Sequence, residues 1–376
     1  MEEAKKPRIL LVADYSNFHA TLAKGLRRLG CDVTLVSDGS TFMQCDRDID
    51  ISRRFEGKVG GFLHASNLLF SKLPKMRGFD IVSFRDPQFL SLRPERIKWF
   101  FKQIVKANKA CYLSYITTDV NFLDMLEAKD SPLKYSEWFI DGKPNRLRLQ
   151  DTAQWDGWHA KEMKDLNEFF YRNIKGAVTG LYEYQVAAER IFPKERIAYG
   201  GIPIDVDAIP HKIIDRPRKI RFFLARDQRR KLEKGNDLME LAARNVAAKF
   251  PDKAEIVVVE NVPRHSYLEA MRSCHVMLDQ MYSYTPATMA LEGMASGLTV
   301  VSGSERDFYD FIGEKSNFPL INSPTNLESL EKCIENLISN PGGFRERAIK
   351  GREFVAKHNG VDTVARRFYN FWMHNA

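Results

Sequence analysis

The sequence predicts an α/β protein made of two Rossmann-like, doubly wound parallel-sheet domains. Three observations lead there. The chain is 376 residues long, more than a single core usually spans. Apolar runs of strand length alternate with stretches of helical period from the first residues onward. The alternation breaks at residues 200–217, GGIPIDVDAIPHKIIDRP, whose Gly and Pro mark a connection, and then restarts. The expected domains are residues 1–202 and 203–356, with residues 357–376 forming a final helix.

Taken in order, residues 8–13 (RILLVA) are a continuous apolar run of the kind buried parallel strands need. Residues 17–29 have a helical period and stop at Gly30, and residues 33–36 are the next strand. This βαβ unit is followed by candidate strands at 80–84, 111–116 and 176–179, with a helix at 94–108 among them. Beyond the connection, strands are expected at 219–225 (KIRFFLA), 255–260 (EIVVVE), 275–280 (HVMLDQ) and 298–302 (LTVVS). Helices near 234–249, 264–273 and 286–296 separate them. Residues 344–371 read as two helices interrupted at Asn359 and Gly360, and Phe368, Tyr369, Phe371 and Trp372 give the last one an apolar face. Two such open sheets are expected to present their strand ends to a ligand cleft.

Hydrophobic residues make up 44% of the chain and charged residues 28%, the balance of a globular protein. No run of about twenty apolar residues occurs. The opening MEEAKKPRILLVAD passes directly into a strand without a signal-peptide pattern, so a cytoplasmic protein is expected. Five scattered cysteines without a C-x-x-C argue against a disulfide framework or a zinc site. The net charge of +8 points to an anionic partner such as a nucleotide, a phosphorylated substrate or an acidic membrane. Basic residues are spread along the chain and no zinc-finger or RNP-like pattern appears, so nucleic acid is not expected. The D-x-D triplets at Asp48 with Asp50 and Asp205 with Asp207 are short enough to arise by chance. Neither a metal nor a cofactor is expected.

The densest information lies in residues 283–302, SYTPATMALEGMASGLTVVS. Thr285 reads as an N-cap and Pro286 as the first helical residue; small residues then line the helix until Gly297 ends it. A phosphate would fit the free N–H groups of such a start, held by roughly 0.3 to 1 kcal/mol from the helix itself, so cations must supply the rest. Tyr284, Thr285, Pro286, Ala287 and Thr288 make up this anion-binding start. Glu292, two turns on, suits neutral hydroxyls such as a ribose diol. An ordinary core helix with a surface Glu is the alternative.

The stretch LEGMASGLTVV resembles the donor-binding motif of glycosyltransferases with the GT-B fold, specifically family four. The resemblance implies that Glu292 binds the nucleotide ribose. It also implies an earlier Glu at the position Tyr284 occupies here. Residue 226, closing the strand KIRFFLA as Arg226, and Lys234-Gly235 resemble the family's Gly-Arg and Lys-Gly, whose cations hold the diphosphate. Arg229 or Arg230 are alternatives to Arg226, because the loop is longer than usual. Val262, in Asn261-Val262-Pro263 after the strand EIVVVE, is the expected contact to the base.

In the first half, ADYSNFH replaces a G-x-G-x-x-G after the first strand, which argues against a dinucleotide dehydrogenase. Ser16 or Asn17 is the expected helix cap, and Ser16 and His19 are candidate contacts to acceptor or phosphate, with a packed core histidine as the alternative for His19. Family members carry His-Gly-x-Asp after the strand matching CYLSYI; Ile116 stands where that His would be, and Asp119 is retained as the candidate carboxylate for acceptor orientation or, in an inverting mechanism, general-base work, a cap on the following helix being the alternative. The resemblance implies a retaining, metal-independent transfer from a nucleotide-sugar to a glycan or lipid-linked acceptor, in polysaccharide or glycolipid assembly. A nucleotide-sugar epimerase and a non-catalytic nucleotide-sugar-binding protein are the alternatives. Residues 93–109, basic and aromatic, and the apolar residues 62–73 are candidates for peripheral membrane contact.

Overall fold

A computed structural model describes residues 6–39, 45–213, 215–228 and 230–375. The chain divides into two compact units. Met1–Met125, Thr152–Pro203 and Val361–Ala376 form the first, and Leu126–Asp151 with Ile204–Gly360 the second. In chain order the strands are β1 (Arg8–Val12), β2 (Asp32–Ser37), β3 (Ile49–Asp50), β4 (Ile81–Phe84), β5 (Ala110–Tyr115), β6 (Phe139–Ile140), β7 (Lys143–Pro144), β8 (Gly176–Thr179), β9 (Ile197–Tyr199), β10 (Ile220–Arg226), β11 (Ala254–Glu260), β12 (Val276–Leu278), β13 (Thr299–Ser302) and β14 (Ile321–Asn322).

The first unit is a parallel sheet of order β3-β2-β1-β4-β5-β8-β9. Ile9, Leu10, Leu11 and Val12 of β1 are fully buried, as they must be in a strand covered by helices on both faces. The helix Phe18–Arg28 buries Leu22, Ala23 and Leu26 and meets the final helix Val361–Asn375 at Gly25. A Cβ there would lie 2.7 Å from both Ala365 Cβ and Val361 O, so only glycine admits this approach. Phe368 and Trp372 of the final helix are fully buried, with ring centroids 5.3 Å apart, and Trp372 lies 6.2 Å from Tyr112 of β5. Arg367 donates to the Gly200 carbonyl. The last helix thus belongs to the first unit.

In the second unit the sheet order is β11-β10-β12-β13-β14, again parallel. Phe222 and Leu224 of β10, Val276 and Leu278 of β12 and Val301 of β13 share a core with Met239, Val246, Leu330 and Ile334 from the covering helices. The chain enters and leaves this unit side by side, with Ile204 N–H donating to Asn359 O at 2.7 Å.

Leu126–Asp151 falls within the second unit, although the sequence reading put it in residues 1–202. Its short β6–β7 hairpin turns through Asp141 and Gly142, both at positive φ, as tight hairpins require. Lys134 N–H donates to Tyr284 Oη at 2.7 Å, and Tyr135 packs on the Tyr284 ring. Arg146 pairs with Asp237. These links are long-range, and strands of two residues carry no periodicity to reveal them. No helix among the described residues is long and apolar enough to cross a membrane.

Candidate functional site

In the second unit β10 lies between β11 and β12, so the connections leaving β10 and β12 diverge at their carboxyl ends. Doubly wound sheets bind ligands at such a switch point. Lys234 lies on the segment after β10, and Asp279 follows β12 directly. Lys234 Nζ stands 3.3 Å from Asp279 Oδ1, and Ser302, ending β13, donates to Asp279 Oδ2 at 2.9 Å. Asn236 donates to the Asp279 carbonyl and Met281 N–H to the Lys234 carbonyl. The ammonium is therefore fixed from both its main chain and its head.

The turn that aims Lys234 requires glycine. Gly235 has φ 70°, and a Cβ there would come within 2.7 Å of Met281 Sδ. For this reason the helix expected over 234–249 is two, Lys231–Lys234 and Asn236–Lys249.

The helix expected over 286–296 begins at Thr288, not at Pro286. Ala287 occupies the cap position and no side chain caps the helix, because alanine has no acceptor to offer. Thr285 is buried and its carbonyl accepts from Ser283 Oγ, which corrects the expected Thr285 cap and Pro286 start. Ala287, Thr288 and Met289 are half-buried, and Lys234 Nζ is 3.7 Å from Met289 Sδ. A cation and a helix start with free N–H groups thus share one place, the combination an oxyanion needs.

Glu292 lies further along this helix. Arg264 Nη2 donates to its Oε1 at 2.6 Å, while the buried Oε2 has no hydrogen-bond partner. The Tyr267 hydroxyl is likewise buried and unpartnered. Burial, then the nearby Glu292 and Asp279 carboxylates, push its pKa well above the ordinary value, so it remains a donor. Two orphaned polar groups beside a charged cluster are unusual inside a folded protein and fit a polyhydroxyl ligand. Val262 follows β11, half-buried, next to Asn261 at φ 50°.

Two residues expected in this site are committed elsewhere. Arg226 donates Nε at 2.9 Å and Nη2 at 2.5 Å to Glu240, and Nη1 to Glu260 at 2.8 Å; it clasps β10 to β11 and to the helix behind them. Its guanidinium is spent, so the diphosphate role is not carried forward for it. Arg230 pairs with Glu233, and Arg229 lies outside the described residues. Tyr284 is buried with its hydroxyl accepting from Lys134, a structural anchor rather than a donor contact. Sequence reasoning missed Asp279, whose signal was a carboxylate closing the apolar run VMLD, and the Arg264–Glu292 pair.

In the first unit the candidates lie at the carboxyl ends of β1 and β5. Asp14, not Ser16 or Asn17, caps the first helix: its Oδ1 accepts from His19 N–H at 3.0 Å and its Oδ2 from Ala20 N–H at 3.2 Å. Ser16 and Asn17 take positive φ instead, which frees Asp14 to reach back. His19 is fully buried. Its Nδ1 faces the Ala13 carbonyl and so carries the proton, leaving Nε2 to accept from Ser114 Oγ at 2.9 Å. Burial holds its pKa below 6.5. It is a neutral core histidine, and the acceptor contact expected of it is withdrawn.

Asp119 is 1% exposed. Its Oδ1 accepts from Tyr115 Oη at 2.7 Å and Phe122 N–H at 2.9 Å, and its Oδ2 from Tyr171 Oη at 2.5 Å. Both oxygens are used internally, so the acceptor-orienting role gives way to a cap and a tyrosine clamp. Burial raises its pKa to about 6, against the pull of the three donors. A folded value above the unfolded one means that the stability contributed here is complete below about pH 4 and lost as pH rises through about 6. The stability of wild type relative to Asp119→Asn is expected to fall across that window and level off above it. Unfolding titrations at several pH values check this, and a constant difference throughout would refute it.

No family model matches the chain, and no curated protein matches it in sequence. Solved structures do match its fold. Sucrose-phosphate synthase from Thermosynechococcus elongatus is 13% identical with a TM-score of 0.63, over 98% of this chain and 99% of that one. HepE from Anabaena, in complex with UDP and glucose, is 9% identical with a TM-score of 0.61, over 98% and 100%. UDP-GlcNAc 2-epimerase from Neisseria meningitidis, bound to UDP-GlcNAc, is 10% identical with a TM-score of 0.53, over 98% and 100%. This chain therefore has the GT-B glycosyltransferase-like fold: two doubly wound parallel-sheet units, with the final helix returned to the first.

Proposed function

We propose that this protein is a glycosyltransferase that moves a sugar from a nucleoside-diphosphate sugar to a glycan or lipid-linked acceptor, with retention and without a metal. One observation carries the reading: Lys234, fixed by Asp279, stands beside the uncapped start of Thr288–Ser296, and the unpartnered Glu292 Oε2 lies in the same helix. Breaking a sugar–phosphate bond leaves negative charge on the departing diphosphate, and a fixed ammonium with helix N–H groups stabilises that charge most at the transition state. Glu292 Oε2 and the Tyr267 hydroxyl are suited to a ribose diol. The complex of HepE with UDP-glucose favours a uridine donor. Free cysteines, four of them buried, fit a reducing cytoplasm, where we place the reaction, in polysaccharide or glycolipid assembly.

The epimerase neighbour supports a second reading, in which a nucleotide-sugar is rearranged without an acceptor. Incubation with UDP-sugars, with and without oligosaccharide or lipid-linked acceptors, separates the two. Transfer releases stoichiometric UDP only with acceptor. Epimerisation changes the sugar with no net release, and that result would overturn the transferase reading.

A further inference from the structure

The helical stretch that follows β3 in the first unit is turned inside out. It runs as Gly57–Asn67, continues through the wider turn Leu68–Lys72, and ends in Leu73–Lys75. Gly60, His64 and Leu68 face inward and are buried, a four-residue repeat that marks one side of the helix. The opposite side carries Val59, Phe62, Leu63 and Phe70; Phe55, just before the helix, lies against Gly60 instead. Their exposures run from 49% for Leu63 to 77% for Phe70. Single exposed apolar residues are ordinary, but two phenylalanines, a valine and a leucine on the outward side of one helical stretch are a concentration of the kind that meets another apolar phase.

The charge around the patch selects that phase. Residues 53–77 hold Arg53, Arg54, Lys58, Lys72, Lys75 and Arg77 against one acidic residue, Glu56. Among the described residues Arg54, Lys58, Lys75 and Arg77 are exposed. The adjoining helix Pro94–Ala107, whose Phe100 and Ile104 share an apolar space with Leu68, Leu73 and Met76, adds exposed Arg96, Lys102 and Lys106 and an exposed Trp99 against Glu95. Two copies of such a surface would repel one another if they met face to face. An anionic lipid surface is complementary to it in both respects: acyl chains take up the phenylalanines, and lipid phosphates meet cations whose long stems reach the headgroup level.

We propose that Val59, Phe62, Leu63 and Phe70, rimmed by these cations, are a docking surface for an anionic membrane. The surface belongs to the first unit alone and binds without nucleotide, so it stands or falls separately from the transferase reading, which it would extend by bringing the enzyme to lipid-linked acceptors.

The test is co-sedimentation of the full chain with vesicles of phosphatidylcholine alone or mixed with phosphatidylglycerol, in the absence of any donor. Binding is expected only to the mixed vesicles and should weaken with salt. The double substitution Phe62→Ser with Phe70→Ser is expected to lower partition by at least roughly tenfold, with an unchanged circular dichroism spectrum because both rings are exposed. Charge reversal at Lys58→Glu with Lys75→Glu, which touches no apolar residue, should lower binding to mixed vesicles and weaken its salt dependence. Equal pelleting with and without phosphatidylglycerol, or binding unaffected by either pair of substitutions, overturns the proposal. So does a concentration-dependent dimer that dissociates on Phe62→Ser with Phe70→Ser, which would assign the face to a second copy.

Discussion

Lys234→Ala is expected to lower turnover by roughly two to three orders of magnitude, the usual consequence of removing one fixed donor to a developing oxyanion, about 2.7 to 4 kcal/mol. The loss should fall mainly on kcat, since the ammonium meets more negative charge on the departing diphosphate than on the bound donor. The substitution also strips a partner from Asp279, whose side chain is fully buried and, among the described residues, keeps only the Ser302 hydroxyl; a buried charge left unpaired is destabilising. Lys234→Ala combined with Asp279→Asn removes that liability, because Asn236 bonds the main-chain carbonyl at 279 and not the side chain. If the double variant folds as wild type and turns over at near wild-type rate, Lys234 has no part in the chemistry. Arg226→Ala is the contrasting case. Its partners are Glu240 and Glu260, so stability is expected to fall by roughly 1.5 to 3 kcal/mol while turnover stays close to wild type. A large drop in kcat without destabilisation would return Arg226 to the diphosphate.

Trp372→Ala is expected to destabilise the first unit by about 3 to 5 kcal/mol. The indole is fully buried between Phe368 and Tyr112, and its Nε1 makes no hydrogen bond, so the loss is one of packing alone. Gly25 and Gly200 leave no slack: added Cβ atoms would lie within 2.7 Å of Ala365 Cβ and 2.2 Å of the Phe368 ring. Neighbouring side chains locked this closely cannot collapse into the space the indole leaves, which puts the effect toward the upper end of the range. Urea titration followed by circular dichroism measures it, with a separate transition fitted for each unit if two appear. A loss below about 1 kcal/mol would mean that the end of the final helix is not anchored by this ring.

Much of the fold was legible because its signals are short-range. Runs such as Ile9 to Val12 and the apolar part of β10 are buried on both faces and cannot be written with polar residues. The helix Phe18–Arg28 and the break between Asn359 and Gly360 follow from period and from turn residues within a few positions of each other. Boundaries moved where a local rule met a tertiary demand. The cap at Thr285 fails because that residue is drawn inside, and the first helix is capped by Asp14 because Ser16 and Asn17 take left-handed conformations.

The site was half legible for the same physical reason. Lys234, Gly235, Glu292 and Gly297 occupy positions fixed by a strand–turn–helix unit, so spacing along the chain sufficed to nominate them. Whether an ionised or hydroxyl-bearing side chain is free to meet a ligand depends on which distant residues the sheet order brings beside it. Arg226 and Asp119 look available in sequence, yet Glu240, Glu260, Tyr115 and Tyr171 consume them, and Tyr284 is taken by Lys134. Asp279 became visible only once β12 stood beside β10. The sequence by itself determined the alternation of strands and helices, the two-part chain and the glycine-aimed lysine, because backbone sterics and burial act locally. The tertiary structure alone decided which charges are spent and which remain open, because pairing energies fall off over a few ångströms and depend on neighbours far apart in the chain.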